Sequence, residues 1–207
     1  MLWIVGILLV LIVWSAYGYL STKGIERPVY TVVRKAKGYE VRTYEPYIVA
    51  EANATGKLDT AIRAGFTLLA GYIFGNNESK TSIQMTAPVG TRGASETIAM
   101  TAPVGSVMGN DSHTITFTMP KKYTMETLPV PKDPRVTLRE VPARTVAART
   151  FSFSRAEGRV AIEERKLRDA LTRDDVSIVG TPETAFYDPP WTLPFMLHSE
   201  ILIPIER

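Results

Sequence analysis

The sequence predicts an α+β fold in which one curved antiparallel sheet carries two helices, behind an N-terminal membrane span. Three patterns lead there: short β-prone runs broken by glycine and proline, two stretches of helical periodicity, and a constant 97-position offset that lays the second half over the first. Antiparallel strands with one helix per half make a sheet that needs its helices to cover a face.

The elements follow in chain order. Residues 1–22 carry no charged side chain, and residues 2–20 are almost all Leu, Ile, Val and aromatics. Those 19 residues, at about 1.5 Å each, reach the thickness of a bilayer's hydrocarbon core. Trp3, Trp14, Tyr17 and Tyr19 stand toward the ends, where amphipathic rings prefer the interface. A cleaved signal peptide with Ala16-Tyr17-Gly18 as its small-x-small site competes with this reading. The missing basic n-region and the length of the apolar run favour an anchor over 1–22. Lys23, Arg27, Arg34, Lys35 and Lys37 follow the span and nothing basic precedes it, which favours a cytoplasmic position for the folded part. Without cysteine no prenyl or palmitoyl group can help.

Residues 23–27 form a short joint, and 28–207 read as one domain. Strands are expected at 30–35 and 39–44, joined by Ala36-Lys37-Gly38 with glycine at the turn, and at 47–55, broken by Gly56. Across 57–74, Leu58, Ile62, Phe66, Leu69 and Ile73 recur at helical steps, and Gly75-Asn76-Asn77 supplies a C-terminal stop. Further extended stretches lie at 98–104 and 114–119, and a last strand at 200–205.

Positions 41–50 laid over 138–147 both read strand, proline-containing turn, strand, at the offset of 97. The same shift carries the first helix onto 154–171, where Ser154-Arg155-Ala156-Glu157 has the form of a capping box. This second helix is crowded with charge and keeps one apolar stripe of Val160, Leu167 and Leu171. The first helix has a single charge over 60–77, Arg63, and a second apolar line of Ala61, Gly65, Leu68 and Tyr72. A helix apolar nearly all round needs both faces covered. Either a neighbouring loop covers the second face, or it lines a pocket for a flat, greasy ligand whose carboxylate pairs with Arg63.

Composition narrows the chemistry. The chain has 207 residues, Lys+Arg 24 against Asp+Glu 21, no cysteine and two histidines, His113 and His198. This excludes disulfide scaffolds, thiolate metal sites, c-type haem attachment and cysteine nucleophiles. Two histidines cannot build a three-histidine centre, and a net charge of +3 without a basic stripe is no nucleic-acid footprint. No nucleophile elbow or phosphate loop is present, so an enzyme using Glu51 or Glu140 is the weaker reading and no catalytic residue is assigned.

Two segments remain. Met85-Thr86-Ala87-Pro88-Val89-Gly90 recurs at 100–105; residues before proline are driven extended, which suits an edge strand or a strand end. Tyr187-Asp188-Pro189-Pro190-Trp191-Thr192-Leu193-Pro194-Phe195-Met196-Leu197-His198 is stiffened by proline and carries Trp191, Phe195 and Met196, which either plug the core or face the apolar helix.

Seven segments together resemble the SOUL haem-binding family: Gly38-Tyr39-Glu40-Val41-Arg42-Thr43-Tyr44, Tyr72-Ile73-Phe74-Gly75-Asn76-Asn77, Ile98-Ala99-Met100-Thr101-Ala102-Pro103-Val104, Met119-Pro120-Lys121-Lys122-Tyr123, Pro131-Lys132-Asp133-Pro134-Arg135-Val136, Leu138-Arg139-Glu140-Val141-Pro142 and Tyr187-Asp188-Pro189-Pro190-Trp191-Thr192. They run in order over about residues 28–206. The resemblance implies a distorted antiparallel β-barrel with two helices and internal pseudo-symmetry, similar to gyrase-inhibitor-like domains. It also implies non-covalent binding of haem or a related tetrapyrrole in a groove between the first helix and the loop before the last strand. On that reading Arg63, Phe66, Leu68, Leu69, Tyr72, Trp191, Phe195, Met196 and His198 form the site. Some family members use an axial histidine early in the domain, and here none precedes His113. His198 is therefore the candidate iron ligand; its alternative is a hydrogen-bonded loop histidine, and stacking with Arg63 pairing to a propionate needs no iron ligand at all. An interaction module docking a partner or the bilayer through the apolar helix is the other function class; no protein partner is named.

Overall fold

A computed structural model describes residues 25–79, 83, 85–93, 112–189 and 191–206, together with positions 3, 5, 6, 9, 14, 15 and 18. Its elements run β1 (Tyr30–Ala36), β2 (Tyr39–Tyr44), β3 (Tyr47–Thr55), α1 (Leu58–Ile73), β4 (Val89–Gly93), β5 (Ser112–Thr118), β6 (Val136–Val141), β7 (Arg144–Phe151), α2 (Glu157–Arg173), β8 (Glu183–Phe186) and β9 (Ser199–Pro204). All strand pairs are antiparallel, in the order β1-β2-β7-β9-β8-β4-β5-β3-β6.

The internal repeat holds at residue resolution for β2 and β3. Adding 97 to β2 gives 136–141, the bounds of β6, and adding it to β3 gives 144–152, against Arg144–Phe151 for β7. The pairing obeys the same symmetry: Tyr44 faces Arg144 and Tyr47 faces Val141, so each pair maps onto the other when 97 is added to one member and subtracted from the other. β4 and β8 meet at the pseudo-two-fold, with Val89 opposite Phe186, themselves 97 apart. β2 thus corresponds to β6, β3 to β7 and β4 to β8, and β1 is an added strand.

The expected barrel is not closed. Among the described residues β6 pairs only with β3 and β1 only with β2, so the sheet has two edges. β1 is exposed along nearly its whole length and carries Arg34 and Lys35, charges of the kind that deter edge-to-edge pairing. β4 was not expected from the sequence; Val-Gly-Thr-Arg-Gly is short and lacks alternation, so its place is fixed by β5 and β8 rather than by local preference. Pro88 precedes its first residue, consistent with a strand end for the first copy of the repeated hexapeptide. The second copy and the expected strand at 98–104 lie outside the described residues.

Both helices pack on one face. α1 lies on β3, β5 and β6, over a core of Ala50, Ala52, Ile115, Phe117 and Val136. α2 lies on β7 and β9, over Ala147, Phe151, Ile201 and Ile203. α1 ends at Gly75, whose φ of +110° is open to glycine at little cost, and the Asn77 side chain donates to the Tyr72 carbonyl at 3.1 Å. The expected capping box of α2 does not form: the helix starts at Glu157, and the Ser154 hydroxyl accepts from the Ala156 amide instead. Val160, Leu167 and Leu171 are buried as expected, but so is Glu163 on the same stripe. Its carboxylate is held by Arg149 at 2.7 Å, Lys166 at 2.9 Å and Arg159 at 3.1 Å.

No helix among the described residues is long and apolar enough to cross a membrane. The expected span at 2–20 lies largely outside them; its described positions are helical.

Candidate functional site

The sheet fixes where α1 and the proline-rich segment stand relative to each other. Phe186, Val89 and Phe117 form one cross-strand row through β8, β4 and β5. Phe117 belongs to the core under α1 and Phe186 to the core under α2, so the row runs along the helix-bearing face. Two strand spacings separate its ends by about 10 Å. Phe66 of α1 packs edge-on against Phe117, ring centroids 5.1 Å apart, and the proline-rich segment starts one residue beyond Phe186.

The nine expected site residues divide by burial. Leu69 and Tyr72 are fully buried in the core under α1, and the Tyr72 hydroxyl donates to the Pro129 carbonyl at 2.8 Å. They hold the helix in place and present no open surface. Leu68 packs against the same core. The second apolar line of α1 is covered by the sheet itself: Ala61, Gly65 and Tyr72 all face it, and a Cβ on Gly65 would stand 2.4 Å from Ile115 Cγ1. Phe66 and Arg63 stay at the surface, Arg63 paired with Asp59 one turn earlier at 3.1 Å. Trp191 and Phe195 are 51% and 59% exposed, and Met196 is half-buried. The segment is tied to the start of α2 by the Phe153 amide donating to the Pro194 carbonyl at 2.8 Å, beside a Phe153 ring that is itself exposed.

His198 closes the segment and is the most constrained of the nine. Its ring stacks on Tyr187 at 4.4 Å, and Nε2 lies 3.0 Å from Glu200 Oε1. Its amide donates to an Asp188 carboxylate oxygen. Glu200 is 1% exposed and also receives Arg42 Nη1 at 3.0 Å on both oxygens and the Tyr187 hydroxyl at 2.7 Å. Burial pushes the Glu200 carboxyl up, but the His198 and Tyr187 hydrogen bonds and the Arg42 charge outweigh it and hold the group at about 2. The carboxylate is thus charged at neutral pH and accepts from Nε2–H. Nδ1 makes no hydrogen bond within the described residues.

The opposite face of the sheet holds a cleft at the pseudo-two-fold, which sequence reasoning missed. It is lined by Tyr44, Tyr47, Arg144, Glu183, Thr184 and Leu202, among others. Arg144 forks onto Glu183 at 2.8 and 2.6 Å and donates to the Tyr47 hydroxyl at 2.7 Å. Tyr47 and Arg144 are 97 positions apart, so the repeat offset was the signal that pairs them. The cavity is about 40 Å³, room for a few waters and not for a tetrapyrrole. Among the described residues no group of three or more His, Asp or Glu side chains is placed to hold a metal ion.

The family model described as SOUL heme-binding protein matches residues 25–204. The chain belongs to the SOUL haem-binding family. It is 29% identical over 161 residues to mouse (Mus musculus) heme-binding protein 2, which covers 77% of this chain and 72% of that one. Among solved structures, the EcmrR C-terminal domain superposes with a TM-score of 0.60 at 12% identity, covering 86% of this chain and 99% of that domain. A hydrolase from Listeria innocua gives 0.54 at 8% identity, covering 84% and 94%. At such identities these two show the fold alone.

Proposed function

We propose that this SOUL-family chain binds haem or a related tetrapyrrole non-covalently in the groove between α1 and the 188–198 segment. The observation that carries the reading is the family match across the whole folded domain, 25–204. The donor set of this groove suits the group: exposed aromatic surface from Trp191, Phe195 and Phe66 for a flat ring, and one imidazole backed by a buried carboxylate. The 40 Å³ cleft on the other face does not suit it.

In this reading Trp191, Phe195, Met196 and Phe66 pack against the macrocycle, Arg63 exchanges Asp59 for a propionate, and Leu68, Leu69 and Tyr72 hold α1 in position. His198 presents Nδ1 toward the iron, with Glu200 fixing the tautomer through Nε2. When bound, haem supplies the iron centre; the chain supplies stacking surface, charge pairing and one basic nitrogen. Residues 1–22 act as the membrane anchor, supported by their length, lack of charge and terminal aromatics.

Optical titration of the detergent-solubilised chain with haemin tests this. A saturable Soret change at one equivalent is expected, with affinity lowered at least tenfold in the Trp191→Ala/Phe195→Ala double variant. Binding that never saturates, or that ignores the double variant, overturns it.

A further inference from the structure

The segment that would carry the ligand site also touches the N-terminal apolar run. Trp14 Nε1 donates to the Trp191 carbonyl at 2.9 Å, a contact between residues 177 apart in sequence. If residues 2–20 span a bilayer, Trp14 lies six residues from the end of the apolar run. At 1.5 Å per residue that is roughly 9 Å along the helix from the end of the run, in the part where its aromatic rings favour the interface. A loop whose carbonyl reaches Trp14 therefore stands at the bilayer boundary.

The side chains around the contact suit such a position. Trp191, Phe195 and Phe153 are 51%, 59% and 65% exposed, three large aromatic groups facing away from the core on adjoining loops. Exposed apolar area of this kind marks a surface that meets something apolar, and aromatic rings favour the headgroup boundary over water. The charges beside them are mixed: Arg27 lies over the Tyr187 ring at 4.9 Å, Arg155 donates to the Asp188 carbonyl at 2.6 Å, and Asp188 is turned inward to the His198 amide. Arg27 is the exposed cation of this group, while Arg155 and Asp188 are both engaged within the fold, so the surface beside the aromatic rings carries no free carboxylate from this segment.

We propose that the 188–198 segment, with Phe153 beside it, is seated in the interfacial layer of a phospholipid bilayer alongside the chain's own N-terminal span. The inference rests on the anchor reading, and it adds a second point of membrane contact that an anchor alone does not require. Apolar side chains inserted about 5–10 Å into the headgroup and acyl boundary are the usual depth of such attachments.

The natural absence of cysteine makes the test direct, because any single cysteine is the only labelling site. Full-length chain carrying one spin label at Phe195→Cys, Leu9→Cys or Thr172→Cys is reconstituted into phosphatidylcholine–phosphatidylglycerol vesicles. Accessibility to oxygen and to a water-soluble nickel chelate is then measured by power saturation. All three positions are exposed, so the labels leave the core intact. The expected result is a deep label at position 9, a shallow lipid-accessible label at 195 and an aqueous label at 172. A deep label at 9 with an aqueous label at 195 overturns this proposal and leaves the anchor standing. An aqueous label at 9 overturns the anchor reading and this proposal with it.

Discussion

Glu200 is the residue on which the proposed site turns, because it fixes the His198 ring at the end of the 188–198 segment. Its carboxyl, ordinarily near 4.5, is held at about 2 in the fold. A depressed acid contributes stability that is fully present above its unfolded value and is lost as pH falls through the folded one. The window is therefore pH 4.5 down to 2, and the contribution is on the order of 3 kcal/mol. Urea midpoints measured across that window should fall steeply in the wild type and less steeply in Glu200→Gln. Arg42 is the buried counter-charge, bonded through Nη1 to both Glu200 oxygens and through Nε to Glu40 at 3.0 Å. Arg42→Ala leaves an uncompensated carboxylate in the interior, and equilibrium unfolding should show a loss of about 3–5 kcal/mol.

Among the elements, α1 shows how far local pattern reaches. Its bounds, Leu58–Ile73, lie inside the expected 57–74, since leucine, isoleucine and phenylalanine at three- and four-residue steps admit one period. What the pattern left open was the cover for its second apolar line. Gly65 decides it: a bare Cα lets the helix settle onto Ile115, so β5 covers the face. Gly65→Ala forces a Cβ into that side chain and should lower stability by about 1–3 kcal/mol, read from the denaturation midpoint at unchanged slope. The β2 and β3 ranges were legible because they alternate and end at glycine and proline. β4 was not, because a five-residue strand containing two glycines is made by its neighbours. Glu163 shows the converse error. It sits at helical spacing from Val160 and Leu167 and yet is no part of the expected stripe, since a carboxylate is buried only when cations such as Arg149 reach it from another element.

For the whole molecule, the 97-residue offset made the topology legible: it predicts equivalent strands, and the observed registers obey it pair by pair. Closure was not legible, because nothing in the β1 or β6 residues says whether two edges meet. The expected site residues came from two continuous segments, each readable by itself, while the residues of the opposite cleft are dispersed along the chain and the 97-residue offset links only pairs such as Tyr47 and Arg144. The family match begins at residue 25, so the folded domain and the apolar run are separable. A chain lacking residues 1–23 should keep haemin binding within about threefold and co-sediment with vesicles far less than the full chain, by the weak interfacial contact of the 188–198 segment alone.

The central claim is that a tetrapyrrole is bound beside the 188–198 segment with its iron facing His198. Haemin-loaded wild type, His198→Ala and His113→Ala are compared by Soret spectrum and titration. The account predicts one saturable site, a displaced Soret maximum and weaker binding in His198→Ala alone, and wild-type behaviour in His113→Ala. Identical spectra and affinities in His198→Ala and wild type would contradict it.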